Sequence, residues 1–85
     1  MLLVKPLQHQ TGDEIKILVF KTNLVANQEV NDIAPLLQNH VDVLRWNVDH
    51  HDKDNVLRIE TTNLLPGDIE LLLREAGYFC EELPD

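Results

Sequence analysis

Asp49-His50-His51-Asp52-Lys53-Asp54 brings two imidazoles and three carboxylates into six consecutive positions. Imidazole nitrogen and carboxylate oxygen suit zinc or nickel, and imidazole also takes copper. A calcium-binding EF-hand is excluded. Counted from Asp52, the sixth position holds Leu57 where the loop needs glycine, and the twelfth holds Asn63 where it needs a bidentate glutamate. Against a metal site stand the exposed position of such a connection, the divergent directions of adjacent side chains, and the competing cation of Lys53. The single cysteine, Cys80, lies between Phe79 and the acids Glu81 and Glu82. A reactive thiolate needs a cationic neighbourhood, so this thiol is expected to be unreactive, its pKa raised by those acids, and to pack as a small hydrophobe. His9 and His40 stand apart from any nucleophile or acid that would complete a catalytic set. With no Gly-rich phosphate loop and no nucleophile–base pairing, the chain is expected not to be an enzyme.

The composition narrows the partners. Eighty-five residues carry 7 Lys+Arg and 15 Asp+Glu, a formal charge of −8. Nucleic acids and anionic membrane surfaces both demand a cationic face, and neither is an expected partner. Residues 46–85 hold ten acids against Lys53, Arg58 and Arg74, so nearly all the excess lies in the second half, where it reads as solubilising charge. One cysteine rules out an intrachain disulfide and a four-ligand cysteine-rich zinc site. No apolar run reaches the roughly 20 residues of a membrane span. The opening Met1-Leu2-Leu3-Val4-Lys5-Pro6 lacks the basic and apolar regions of a signal peptide, so a cytoplasmic location is expected.

The elements that must position these residues follow from hydrophobic periodicity. Residues 1–14 read as a leader, flexible or packed on the sheet, with Thr11-Gly12-Asp13 as a turn. Residues 15–85 form the domain. Ile15 to Thr22 is a strand with apolar side chains at both parities, which suggests an interior strand covered at least partly on both faces. Val30, Ile33, Ala34 and Leu37 mark one face of a helix with Asn27 as N-cap, and Pro35 predicts a bend or a later start. Val41 to Asp49 reads as a second strand, with Leu44, Trp46 and Val48 on one face. The polar residues 50–54 make a hairpin connection, and Asn55 to Thr62 returns as the third strand. Pro66 opens a second helix whose stripe is Ile69, Leu72, Leu73 and Ala76, and Gly77 is its left-handed cap. Tyr78 to Leu83 closes the chain as a short strand, ended by Pro84. No internal sequence repeat is present. The order β-α-β-β-α-β predicts an α+β, ferredoxin-like split fold, with sheet order 4-1-3-2 and both helices on one face.

On this pattern residues 15–83 resemble the heavy-metal-associated domain of copper chaperones and metal-transporting ATPases. The residues that carry the resemblance are Phe20-Lys21-Thr22-Asn23, Trp46-Asn47-Val48-Asp49, Val56-Leu57-Arg58-Ile59-Glu60, Ala76-Gly77-Tyr78 and Glu81-Glu82-Leu83. The resemblance implies a metal loop after the first strand with two cysteines three positions apart. In this chain the loop is Thr22-Asn23-Leu24-Val25-Ala26-Asn27-Gln28-Glu29, and Ala26 and Glu29 stand at the cysteine positions. The family's fold is therefore implied and its metal chemistry is not, and no cofactor is expected. Acylphosphatases share the topology, but they need an arginine in an anion-cradling loop, and residues 22–29 contain no basic residue.

Two functional expectations result. The first is a protein-interaction or regulatory module with a degenerate metal loop. Leu18 and Phe20 face the helices, which turns Ile15, Ile17 and Val19 outward as a surface for a protein partner or a second copy. The second is binding or trafficking of zinc, nickel or copper through Asp49, His50, His51, Asp52 and Asp54.

Overall fold

Alternation in the first strand sets the architecture. In β1 (Lys16–Thr22) the side chains of Leu18, Phe20 and Thr22 are buried, while Ile17 on the opposite parity is 60% exposed. The computed structural model describes residues 14–51 and 53–83. Residues 1–13 of the leader, with Thr11-Gly12-Asp13 and His9, lie outside the described residues, as do Asp52, Pro84 and Asp85.

The remaining elements are α1 (Asn27–Gln38), β2 (Arg45–Asp49), β3 (Val56–Thr61), α2 (Pro66–Glu75) and β4 (Cys80–Glu82). The strands form one sheet in the order β2-β3-β1-β4, with every pairing antiparallel. This is the expected 4-1-3-2 order read from the other edge. Leu18 and Phe20 of β1, Leu57 and Ile59 of β3, Ile33 and Leu37 of α1, and Ile69 and Leu73 of α2 share one buried cluster, so both helices cover the same face. Burying such a face is the main source of stability in a domain this small.

Several boundaries differ from the sequence reading. The second strand starts at Arg45, not Val41, because residues 40–43 turn. The Asp42 N–H donates to His40 Nδ1 at 3.1 Å and the Val43 N–H to the His40 carbonyl at 3.1 Å. Leu44, expected on the inner face, is 54% exposed, whereas Trp46 and Val48 pack on the core. The first helix runs through Pro35 and begins where Ala26, not Asn27, is the N-cap. Pro35 falls in its last turn, close to where the hydrogen-bond ladder ends.

The second helix ends in a Schellman motif. Gly77 takes φ 95°, its N–H donates to the Arg74 carbonyl at 2.9 Å, and the Tyr78 N–H donates to the Leu73 carbonyl at 2.9 Å. That motif holds Tyr78 outside β4, which therefore starts at Cys80 instead of Tyr78. Ala76, expected in the apolar stripe, is the exposed C-cap residue. The interior position of β1 is as expected, between β3 and β4. On the face away from the helices, Ile15 and Ile17 are exposed and Val19 is half-buried.

Candidate functional site

The hairpin residues are committed to one another. Asp49 Oδ1 accepts the His51 N–H at 2.9 Å and lies 3.4 Å from His51 Nδ1, while Asp49 Oδ2 faces Arg58 Nη1 at 3.7 Å. The His51 backbone hydrogen bond is the leading cause that holds the Asp49 carboxyl below its ordinary pKa. His50 Nδ1 lies 3.2 Å from Asn55 Oδ1, and Asp54 Oδ1 is 4.0 Å from Lys21 Nζ. The His50 and His51 rings are thus engaged with different partners. Among the described residues, no three His, Cys, Asp or Glu side chains converge as a metal-holding group.

The β1–α1 junction sits beside this hairpin and is tied to it. Thr22, almost wholly buried, donates its hydroxyl to the Asn55 carbonyl at 2.6 Å and accepts the Leu24 N–H at 3.1 Å. Asn55 supplies that carbonyl from the left-handed region, with φ 47°, a conformation that asparagine tolerates better than most residues. The Thr22 N–H also donates to the Asp54 carbonyl at 3.0 Å. Leu24 is fully buried in the core. Asn23 Oδ1 accepts the Phe79 N–H at 3.0 Å, which ties in the loop between α2 and β4. Past the junction, Ala26 offers a side chain with no donor atom, and Glu29 Oε1 accepts the Ala26 N–H at 2.8 Å. Glu29 thereby satisfies an amide that the start of a helix leaves unpaired, and its charge complements the helix dipole.

The β3–α2 junction repeats the arrangement. Thr61 is fully buried, and its Oγ1 accepts the N–H groups of Asn63 and Leu64 at 3.2 and 3.1 Å. Leu64 enters the core as Leu24 does. Leu65 is the N-cap, and Asp68 Oδ2 accepts its N–H at 2.8 Å. Sequence reasoning assigned no capping or anchoring role to Thr22, Thr61 or Asn23, and read Glu29 only as the residue standing at a cysteine position of the family. The available signal was a threonine ending each strand, with an acid seven residues further on.

On the opposite side of the sheet, Ile15 and Ile17 are 62% and 60% exposed and Val19 is half-buried. Their neighbours across the ladder are charged, Ile17 lying beside Glu60 and Val19 beside Arg58. Cys80 belongs to the core, and burial pushes its thiol up from the usual 9.0 to about 12. The nearby acid adding to that shift is Glu70, not the sequence neighbours Glu81 and Glu82. At the far end of the molecule, His40, Asp42, Asn63, Leu72 and Glu75 line a shallow, open concavity of about 440 Å³. Among the described residues, no helix is long and apolar enough to cross a membrane.

These geometries can be set beside known proteins. No family model and no curated protein sequence matches the chain. A solved structure does. The apo form of the HMA domain of the copper chaperone for superoxide dismutase superposes with a TM-score of 0.70 at 17% sequence identity, over 99% of this chain and 85% of that one. The chain has the heavy-metal-associated, ferredoxin-like fold.

Proposed function

We propose that this protein is a non-enzymatic domain of the heavy-metal-associated type whose metal loop is degenerate, and that it acts through protein contacts as an interaction or regulatory module. The observation that carries the reading is the duty of Glu29. At the positions where the resemblance implies a cysteine pair, Ala26 provides no ligand atom, and the Glu29 carboxylate caps α1 at 2.8 Å. Asp68 does the same for α2 at a junction where the resemblance implies no metal. A soft cation such as copper(I) favours thiolates, and one carboxylate already engaged with the backbone does not fit it. The contacts of such a module fall to the outer sheet face, where Ile15, Ile17 and Val19 offer apolar surface.

Titration with copper(I) against a competing chelator tests the loop. The wild-type protein is expected to bind no stoichiometric copper(I), and the double variant Ala26→Cys, Glu29→Cys to gain such binding on the same fold. Tight one-to-one binding by the wild type would overturn the reading. The second reading, zinc, nickel or copper held by His50 and His51 with Asp49, Asp52 or Asp54, draws support from the 3.4 Å approach of His51 Nδ1 to Asp49 Oδ1. Following the histidine NMR signals during zinc and nickel additions separates the two readings, because only the second expects saturable shifts at sub-micromolar metal.

A further inference from the structure

The sheet ends in β4 on one side and β2 on the other, and the two edges are finished differently. On β4 the Glu82 N–H is taken by Glu70 Oε2 of α2 at 2.9 Å, so the helix closes that edge. The phase of the ladders shows what β2 presents. The Leu83 N–H donates to the Val19 carbonyl, which turns the backbone groups of Val19 towards β4 and, by alternation, those of Leu18 and Phe20 towards β3. Their partners Ile59 and Leu57 face β1 in return, so Glu60 and Arg58 face Arg45 and Asn47 of β2. The Leu44 N–H, which donates to the Glu60 carbonyl at 2.8 Å, agrees with this phase. The N–H and C=O groups of Trp46 and Val48 therefore point to the free edge, and among the described residues no hydrogen bond reaches them there. A five-residue edge strand without proline is one that proteins ordinarily cover or pair.

The residues of that edge are complementary to themselves. An antiparallel copy placed about a two-fold axis at Asn47 sets Arg45 opposite Asp49, Trp46 opposite Val48, and Asn47 opposite Asn47. Trp46 of each copy then exchanges both backbone hydrogen bonds with Val48 of the other, and every edge group is satisfied. Arg45 is exposed and, among the described residues, has no ion-pair partner in its own chain. Opposite charges and aromatic–β-branched pairs are the cross-strand neighbours that stabilise a ladder. The adjacent registers set Arg45 opposite Asn47, or Asn47 opposite Asp49, and lose the charge pairing.

We propose that two copies of this chain pair through β2 about a two-fold axis at Asn47, joining their sheets into one sheet of eight strands with all the helices on one side. Ile15, Ile17 and Val19 of both copies lie on the other side of that sheet and stay open to a partner. The contact is thus separate from the outer-face surface and goes beyond it.

Sedimentation velocity over a concentration series, read together with amide hydrogen exchange, tests the contact. The wild-type chain is expected to pass from monomer to dimer as concentration rises, with the Trp46 and Val48 amides gaining protection in step. Asn47 is exposed, so Asn47→Lys and Asn47→Asp leave the core alone while each brings like charges together at the axis. Each variant by itself is expected to stay monomeric, with the Ile33 and Leu73 methyl signals unmoved. An equal mixture of the two is expected to recover the dimer, which variants that merely failed to fold would not do. A wild type that is monomeric at every concentration would overturn the proposal. So would a dimer that survives both single variants, or one whose concentration-dependent shifts fall on Ile15, Ile17 and Val19 in place of β2. That last result would assign the second copy to the outer face, and none of these outcomes bears on the copper titration.

Discussion

The two strand-to-helix junctions are built alike, yet the family resemblance gives only one of them a chemical history. At each, a buried threonine ends the strand and accepts the N–H of the leucine that drops into the core, and an acid at the third helical position caps the residue before the helix. Thr22 and Thr61 are separated by the same seven positions from Glu29 and Asp68. What differs is the far side. Thr22 also donates to Asn55 and so fastens the β2–β3 hairpin, whereas the Thr61 junction borders the open concavity around Asn63 and Asp42. The likeness teaches that the first junction holds its shape by means the second needs in any case. No metal is required to explain its geometry.

Breaking the threonines should give the largest effects. Thr61→Val keeps the shape but leaves the Leu64 N–H without its acceptor, and a loss of about 2 kcal/mol is expected in urea unfolding. Thr22→Val is expected to cost at least as much, because it also removes the donor to the Asn55 carbonyl. A Thr22 variant markedly milder than its counterpart would break the likeness.

The helix ends come next. The second helix closes on Gly77 at φ 95°, and Gly77→Ala should cost about 1–2 kcal/mol in the same assay. The first closes on Asn39 at φ −91°, with no left-handed residue, and Asn39→Ala should be close to neutral.

The caps should be smaller and equal. Glu29→Ala and Asp68→Ala are each expected to lower stability by about 0.5–1 kcal/mol. If Glu29→Ala were neutral while Asp68→Ala was not, the carboxylate of Glu29 would be free for another task.

The Cys80 thiol, which pairs across the ladder with Thr22, makes stability depend on pH only in the alkaline range. Its folded-state pKa of about 12 lies above the usual 9.0, so the unfolded chain loses the thiol proton first. Stability should therefore fall as pH rises from 9.0 towards 12, and Cys80→Ala should flatten that limb of the pH–stability curve. Alkylating reagents at pH 8 should modify the thiol only after unfolding.

How far the sequence reaches is visible in these same residues. The β-α-β-β-α-β order, the inward parity of Leu18 and Phe20 and the Gly77 cap were all legible, because each rests on local periodicity or on a residue with a singular backbone preference. The start of β2 was not. Val41 looks like strand, but His40 offers both its ring nitrogen and its carbonyl to the following amides and holds a turn. Ala26 and Glu29 could be read as non-cysteine by inspection. The capping duty of Glu29 could not, since it depends on where the helix begins, and Asn27 looked the better N-cap. At the hairpin, composition suggested shared ligands, whereas hydrogen bonding pairs His51 with Asp49 and His50 with Asn55.

The shortness of β4 has a cost in colloidal behaviour. Phe20, Lys21 and Thr22 of β1 pair with it and the Val19 carbonyl accepts the Leu83 N–H at 2.8 Å, so among the described residues only the start of β1, Lys16 to Leu18, presents a strand edge with no neighbour on that side. An open edge beside the exposed Ile15 and Ile17 is the kind of template on which chains stack into aggregates. Lys16, exposed at the head of that edge and lying on the parity that faces inward further along, is the sort of charge that blocks such stacking.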